Sequence, residues 1–215
     1  MVRPNITTIT VRGVNEDKSA IGASGRVPVQ LVAEASALDQ IDTEPQPNGT
    51  PAMQVPSGRY WVKALDPSIA IRQVLVNGMD ITDAPLEVRD DAQEAEVTVV
   101  ITTHPSRIGG TVVDDAGKPA NGVLVIAFST TPERWRQPAT RYVVAGRTNG
   151  NGAFSVGGLP GGDYYVGVAT DVEPNPLLEL YGIDPEILER MRTSATVVTV
   201  GDGQTARVSL RAKPQ

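Results

Sequence analysis

The pattern apolar-Pro-x-Gly-x-Tyr-aromatic-Val occurs twice in this chain of 215 residues, and no other feature restricts the fold as much. Val55-Pro56-Ser57-Gly58-Arg59-Tyr60-Trp61-Val62 matches Leu159-Pro160-Gly161-Gly162-Asp163-Tyr164-Tyr165-Val166 without a gap. Proline presets φ for the first corner of a β-turn, and glycine suits the turn's exit. The aromatic residues and valine that follow then open a strand. Seven glycines lie between Asn149 and Asp171, around short apolar runs. On this reading they make corners and do not cradle a ligand.

Both copies of the pattern sit between further matched elements. Upstream, Gly25-Arg26-Val27-Pro28 leads into Val29–Ala33, as Gly117-Lys118-Pro119-Ala120 leads into Val123–Ala127. Downstream, an acidic turn at Asp90-Asp91 precedes the alternating Val97, Val99 and Ile101, and one at Asp202 precedes Ala206, Val208 and Leu210. Three elements matched in the same order point to a tandem repeat. The boundary falls near His104-Pro105, giving a first domain over 1–104 and a second over 105–215. The second opens with Ile108, Gly110 and Val112 on one face.

Each half then supplies about seven short strands in about 100 residues, the anatomy of an antiparallel β-sandwich. The 21 glycines and 17 prolines suit many short strands and rule out a helical bundle. Aromatics make up only 4% of the chain, so Val, Ile, Leu and Ala must fill the core. The expected class is all-β, two tandem antiparallel β-sandwich domains of immunoglobulin-like or prealbumin-like type, with one short helix in the second. That helix is announced by Asp184 as N-cap, Pro185 at the first helical position and Glu186 in the first turn. Ile187, Leu188 and Met191 share the face that should lie against the sandwich, while Arg190 and Arg192 suit the C-terminal end.

The stretches "IGGTVVDDAGKPANGVLVIAF", "GRTNGNGAFSVGGLPGGDYYVGV" and "TVVTVGDGQTARVSL" together resemble the carboxypeptidase regulatory-like domain, a prealbumin-like sandwich. The resemblance spans 106–212. The first half is similar to the same family through "NGTPAMQVPSGRYWV" and "VLVNGMDITDAPLEV", and departs from it over Val14–Gly25, where a short hairpin is expected. The resemblance implies a non-catalytic module of secreted, periplasmic or cell-surface bacterial proteins, with no catalytic residues to carry across.

The remaining residues exclude several classes of chemistry. A net charge of −6 and the lack of a basic stripe argue against nucleic acid as a partner. With no cysteine, disulfides and thiol chemistry are absent. No apolar run reaches the roughly 18 residues of a membrane span, and Met1–Thr10 lacks the apolar stretch of a signal peptide. The one histidine, His104, lies in the expected linker, and no GxSxG elbow accompanies it. The glycine clusters fit neither GxGxxG nor GxxxxGK[ST]. Asp90-Asp91 and Asp114-Asp115 lack the spacing of a calcium loop and read as turn initiators. No catalytic residue, metal or cofactor is therefore expected.

Two stretches remain as candidates for contact with a partner, either other protein domains, copies of the chain itself, or a glycan. Arg134-Trp135-Arg136 lies in a polar insertion, Ser129–Tyr142. Trp and Arg are enriched in binding hot spots, and an exposed Trp can stack on a sugar. The alternative is that Trp135 folds back over the sandwich while the arginines pair with nearby acids. The second stretch is Asn5–Gly13, which alternates cleanly and is either the first strand of its own domain or a strand added to a neighbour's sheet.

Overall fold

The computed structural model describes residues 6–21, 27–36, 39–45, 50–66, 68–89, 94–137, 140–169 and 183–212. The chain divides into two compact units, 1–103 and 104–215.

In the first unit the strands are β1 (Ile6–Asn15), β2 (Ala20–Ile21), β3 (Val29–Ala33), β4 (Gln40–Asp42), β5 (Glu44–Pro45), β6 (Pro51–Pro56), β7 (Gly58–Ala64), β8 (Ala70–Val76), β9 (Met79–Asp80), β10 (Leu86–Val88) and β11 (Glu94–Thr102). One sheet has the order β5-β6-β1-β11-β8-β9, and the other β10-β7-β3-β4. The stretch Val14–Gly25 begins with the expected short hairpin, because β2 folds back onto β1. Residues 22–26 and the Asp90-Asp91 pair lie outside the described residues. Alternate side chains from each sheet point inward and form a single core. Ile9 and Val11, Val97 and Val99, and Met53 and Val55 meet Val29, Leu31 and Tyr60 there. The period-two pattern of Val97, Val99 and Ile101 puts all three in this core.

In the second unit the strands are β12 (Ser106–Val113), β13 (Leu124–Ser129), β14 (Val143–Arg147), β15 (Ala153–Leu159), β16 (Gly162–Ala169), β17 (Thr196–Val200) and β18 (Thr205–Arg211). Its sheets are β15-β12-β18 and β14-β13-β16-β17. Ile108 and Val112 of β12 pack with Val125, Ala127, Tyr164, Val166 and Leu210 between them.

The two strand orders coincide. The path β6-β1-β11 of the first unit corresponds to β15-β12-β18 of the second, and β10-β7-β3-β4 corresponds to β17-β16-β13-β14. Among the described strands the pairing is antiparallel except in one place per unit. The first long strand lies parallel to the last, with Val11 opposite Val97 in one unit and Gly110 opposite Val208 in the other. Among the described residues, the first unit adds the β8–β9 hairpin beside β11, and nothing equivalent lies beside β18.

The repeated Pro-x-Gly pattern turns out to be a crossing between sheets and not the tip of a hairpin. β6 and β7 belong to opposite sheets of the first unit, as β15 and β16 do in the second. Gly58 and Gly162 have φ of 157° and 156°, a backbone conformation open essentially to glycine alone. Two residues on, the tyrosine turns inward and its hydroxyl donates to the proline carbonyl, Tyr60 to Pro56 at 3.0 Å and Tyr164 to Pro160 at 2.8 Å. Each corner is thus fastened by its own strand. In the turn before β15, Asn149 Oδ1 accepts from the amides of Asn151 and Ala153, both at 3.0 Å.

Candidate functional site

The Arg134-Trp135-Arg136 turn owes its position to the strand before it. All six residues of β13 are buried, so its outward side chains Leu124, Ile126 and Phe128 need cover as much as its inward ones. A single 3₁₀ turn, Pro132–Arg134, brings Trp135 back onto this face. The helix Pro185–Arg192 supplies the rest of the cover through Leu188, with Ile187 and Met191 beside it. Asp184 caps it as expected, accepting from the Glu186 amide at 2.8 Å. Together they form a third layer over β13 and β16. The signal was present in "LVIAF": an unbroken apolar run marks a strand buried on both faces.

Trp135 is only 2% exposed. Its ring meets Phe128 edge-on at 5.9 Å, and Arg136 lies 5.5 Å above its centroid. No open aromatic face is left for a sugar, so of the two readings of Trp135 the folded-back one describes this structure. The arginines remain at the surface. Arg134 stacks on Tyr142 at 4.7 Å, and Arg141 approaches the same ring at 5.0 Å. Arg136 lies 3.7 Å from Glu189 of the helix, which also pairs with Arg192 at 2.7 Å. Exposed pairs of this kind contribute about 0–1 kcal/mol.

The other sequence candidates also take structural positions. β1 lies between β6 and β11, so both of its edges are occupied within its own unit. His104 is exposed at the start of the second unit. Asp114 organises a turn in which its carboxylate accepts from the Lys118 amide at 2.8 Å. Among the described residues no group of three or more His, Cys, Asp or Glu could hold a metal ion. Burial pushes the Tyr164 and Tyr60 phenols up and the Lys63 ammonium down.

The feature that most distinguishes this surface is one that no local sequence pattern marks, the edge strand β17. An exposed edge offers unpaired backbone groups to another chain, and proteins blunt such edges with charge, proline, bulges or shortness. β5 is two residues long and contains Pro45; β9 is two residues long and ends in Asp80. β4 spans three residues and ends in Asp42. Arg207 and Arg211 stand exposed on β18, and the pairing of β15 with β12 is irregular at Ser106/Arg107. β14 ends in Arg147. β17, Thr-Val-Val-Thr-Val, has none of these defences: all five residues are β-branched and uncharged. Its Val197 is 59% exposed. Among the described residues β17 pairs with β16 alone.

The first unit provides an internal contrast. Tyr60 pairs with Leu86 as Tyr164 pairs with Val198, and Arg59 pairs with Glu87 as Asp163 pairs with Thr199. Counting back one residue sets Pro85 where the second unit has Val197. The same edge therefore carries a proline and a carboxylate in one unit, and neither in the other.

Comparison with known proteins yields no family. No family model matches the chain, and no curated protein matches it, so the likeness to the carboxypeptidase regulatory-like domain rests on the residues that suggest it. Among solved structures, a streptococcal ancillary pilin matches over 98% of this chain at 18% identity and a TM-score of 0.31, and the chain spans 63% of its length. GBS52, the minor pilin of Streptococcus agalactiae, matches over 97% of this chain and 96% of its own, at 14% identity and a TM-score of 0.36. Hydroxyquinol 1,2-dioxygenase from Pseudomonas putida DLL-E4 matches over 52% of this chain and 57% of its own, at 12% identity and a TM-score of 0.29. At these identities and TM-scores the likenesses carry no functional inference.

Proposed function

We propose that the chain is a non-catalytic structural module of a secreted or cell-surface bacterial protein, built from two sandwiches of one plan, that joins other protein through a sheet edge. The surface location follows the family resemblance. The observation that supports the assembly role is the contrast between β10 and β17. A chain that blunts one edge with Pro85 and Glu87 leaves the equivalent edge neutral and β-branched over Thr196–Val200. Strand addition at such an edge gains main-chain hydrogen bonds without a preformed pocket.

The test is the molar mass in solution, by light scattering after size exclusion over a range of concentrations, with negative-stain images of the same samples. Dimers, larger oligomers or filaments support the role. A chain that stays at 22.7 kDa throughout and captures no extended β-strand peptide loses it.

A second reading, binding of an acidic glycan or protein, is favoured by the cations gathered on one turn, Arg134 and Arg141 over Tyr142 and Arg136 over Trp135. With Trp135 buried, contact would fall to Arg134 and Arg136. Screening the chain against acidic glycans tests it, and binding that survives the Arg134→Ala/Arg136→Ala double variant removes this turn as the site.

A further inference from the structure

We infer that the partner of β17 is β17 of a second copy, paired antiparallel about a two-fold axis that passes through Val197. This rests on the assembly reading above and names its occupant and its register.

The register is restricted by which side chains would meet. In an antiparallel pair, directly opposed residues lie on the same face of the joined sheet. Inward-facing Val198 and Val200 belong beside the core, and Val197 and Thr199 face outward. A register that keeps the two cores on one side must oppose outward residues to outward residues. Centring the axis on Val197 does so: Val197 faces its own image, Thr196 faces Val198, and Ala195 faces Thr199. Every opposed pair is neutral and small or β-branched, a combination favourable across strands.

The occupant follows from the same row. An isologous contact sets the residue on the axis against itself, so a charge there would meet a like charge. β17 carries no charge at any of its five positions. The pairing would also cover Val197, one of only four large apolar side chains exposed among the described residues. The equivalent edge in the first unit could not do this. Pro85 stands at the axial position without an amide proton, and Glu87 would join the outward row. β17 is thus a self-complementary edge, and pairing it with its own copy gives a closed dimer with an eight-stranded sheet in place of an open filament.

Five residues per strand bury less than a standard interface, so the dimer should be weak and should depend on concentration. The chain has no cysteine, which makes the register directly measurable. In the Val197→Cys variant the two thiols face each other across the axis, with Cα atoms about 4.5–5.5 Å apart, within disulfide range. In Thr199→Cys the two copies of residue 199 are about 13 Å apart along the strands. Mild oxidation with oxidised glutathione should crosslink Val197→Cys about tenfold or more faster than Thr199→Cys. Val197→Lys, at an exposed position that leaves the fold intact by circular dichroism, should weaken dimerisation about tenfold or more by opposing two ammonium groups.

Equal crosslinking rates for the two cysteine variants would overturn the register. Association that persists unchanged in Val197→Lys would overturn β17 as the interface and leave the assembly reading standing. Capture of a foreign β-strand at β17 without self-association would overturn the second copy as partner. A monomer that binds no strand at any concentration would remove both the inference and the reading beneath it.

Discussion

The Tyr164 hydroxyl donates to the Pro160 carbonyl four residues back, at 2.8 Å, and Tyr60 repeats this bond to Pro56 at 3.0 Å. Each bond spans the point where the chain leaves one sheet for the other. Removing the hydroxyl leaves a carbonyl at that point without its donor. Tyr164→Phe should cost about 1–2 kcal/mol, and Tyr60→Phe a similar amount. Urea unfolding of each variant measures it. A change smaller than about 0.5 kcal/mol would show that the corner holds without the bond.

The same phenol gives stability a dependence on alkaline pH. Burial raises the folded-state pKa of Tyr164 above its ordinary 10.0, with the neighbouring Tyr142 acting in the same direction. Below pH 10 both folded and unfolded states keep the proton, and the stabilisation is fully present. As pH rises past 10 the unfolded chain deprotonates first, so stability falls with increasing pH up to the folded pKa. Urea midpoints measured at pH 8 and pH 11 should show this loss. Tyr164→Phe should reduce the slope, whereas an unchanged slope would assign the loss to other groups.

Trp135 is expected to act on stability and not on ligand affinity. It is 2% exposed, beneath Arg136 and against Phe128. Trp135→Ala should destabilise the second unit by about 3–5 kcal/mol through the cavity it leaves. Trp135→Phe should cost less, because among the described residues the buried indole Nε1 has no hydrogen-bond partner to lose. Arg134→Ala and Arg136→Ala should each fall within about 0.5 kcal/mol of the parent. Thermal unfolding followed by tyrosine absorbance ranks all four.

Gly110 lies between β15 and β18 at the middle of its sheet, opposite both Phe154 and Val208. A Cβ built there would overlap the Val208 carbonyl oxygen, which belongs to backbone and cannot swing aside. Gly110→Ala should therefore force the parallel strands apart and cost about 3 kcal/mol or more. Gly117→Ala is the contrast. It changes a turn glycine at φ 78° with open space around it, so only the conformational penalty, about 1–2 kcal/mol, remains.

Part of this protein is legible in the chain because it is set by near neighbours. The alternation of Val97, Val99 and Ile101 marks a strand with one face inward. Asp184, Pro185 and Glu186 start a helix wherever they are placed, and Pro-x-Gly-x-Tyr makes a corner for reasons contained within a few residues. These are matters of φ, hydrogen-bond reach and side-chain period, so the fold class follows from them.

What the tertiary structure decided is which strands meet, and pairing over long separations leaves no local mark. Nothing near Val11 says that its neighbour will be Val97, running parallel. Nothing in the corner itself says that it joins two sheets. Trp135 looks like a contact residue until the outward face of β13 is seen to need cover. β17 reads as one more valine-rich strand, because being an edge is a property of the neighbours a strand lacks. The sequence by itself determined the elements and their inward faces, through local sterics and burial. Only the assembled sheets decided that Val197 stands on a strand that ends its sheet among the described residues, while Pro85 stands at the equivalent place in the first unit.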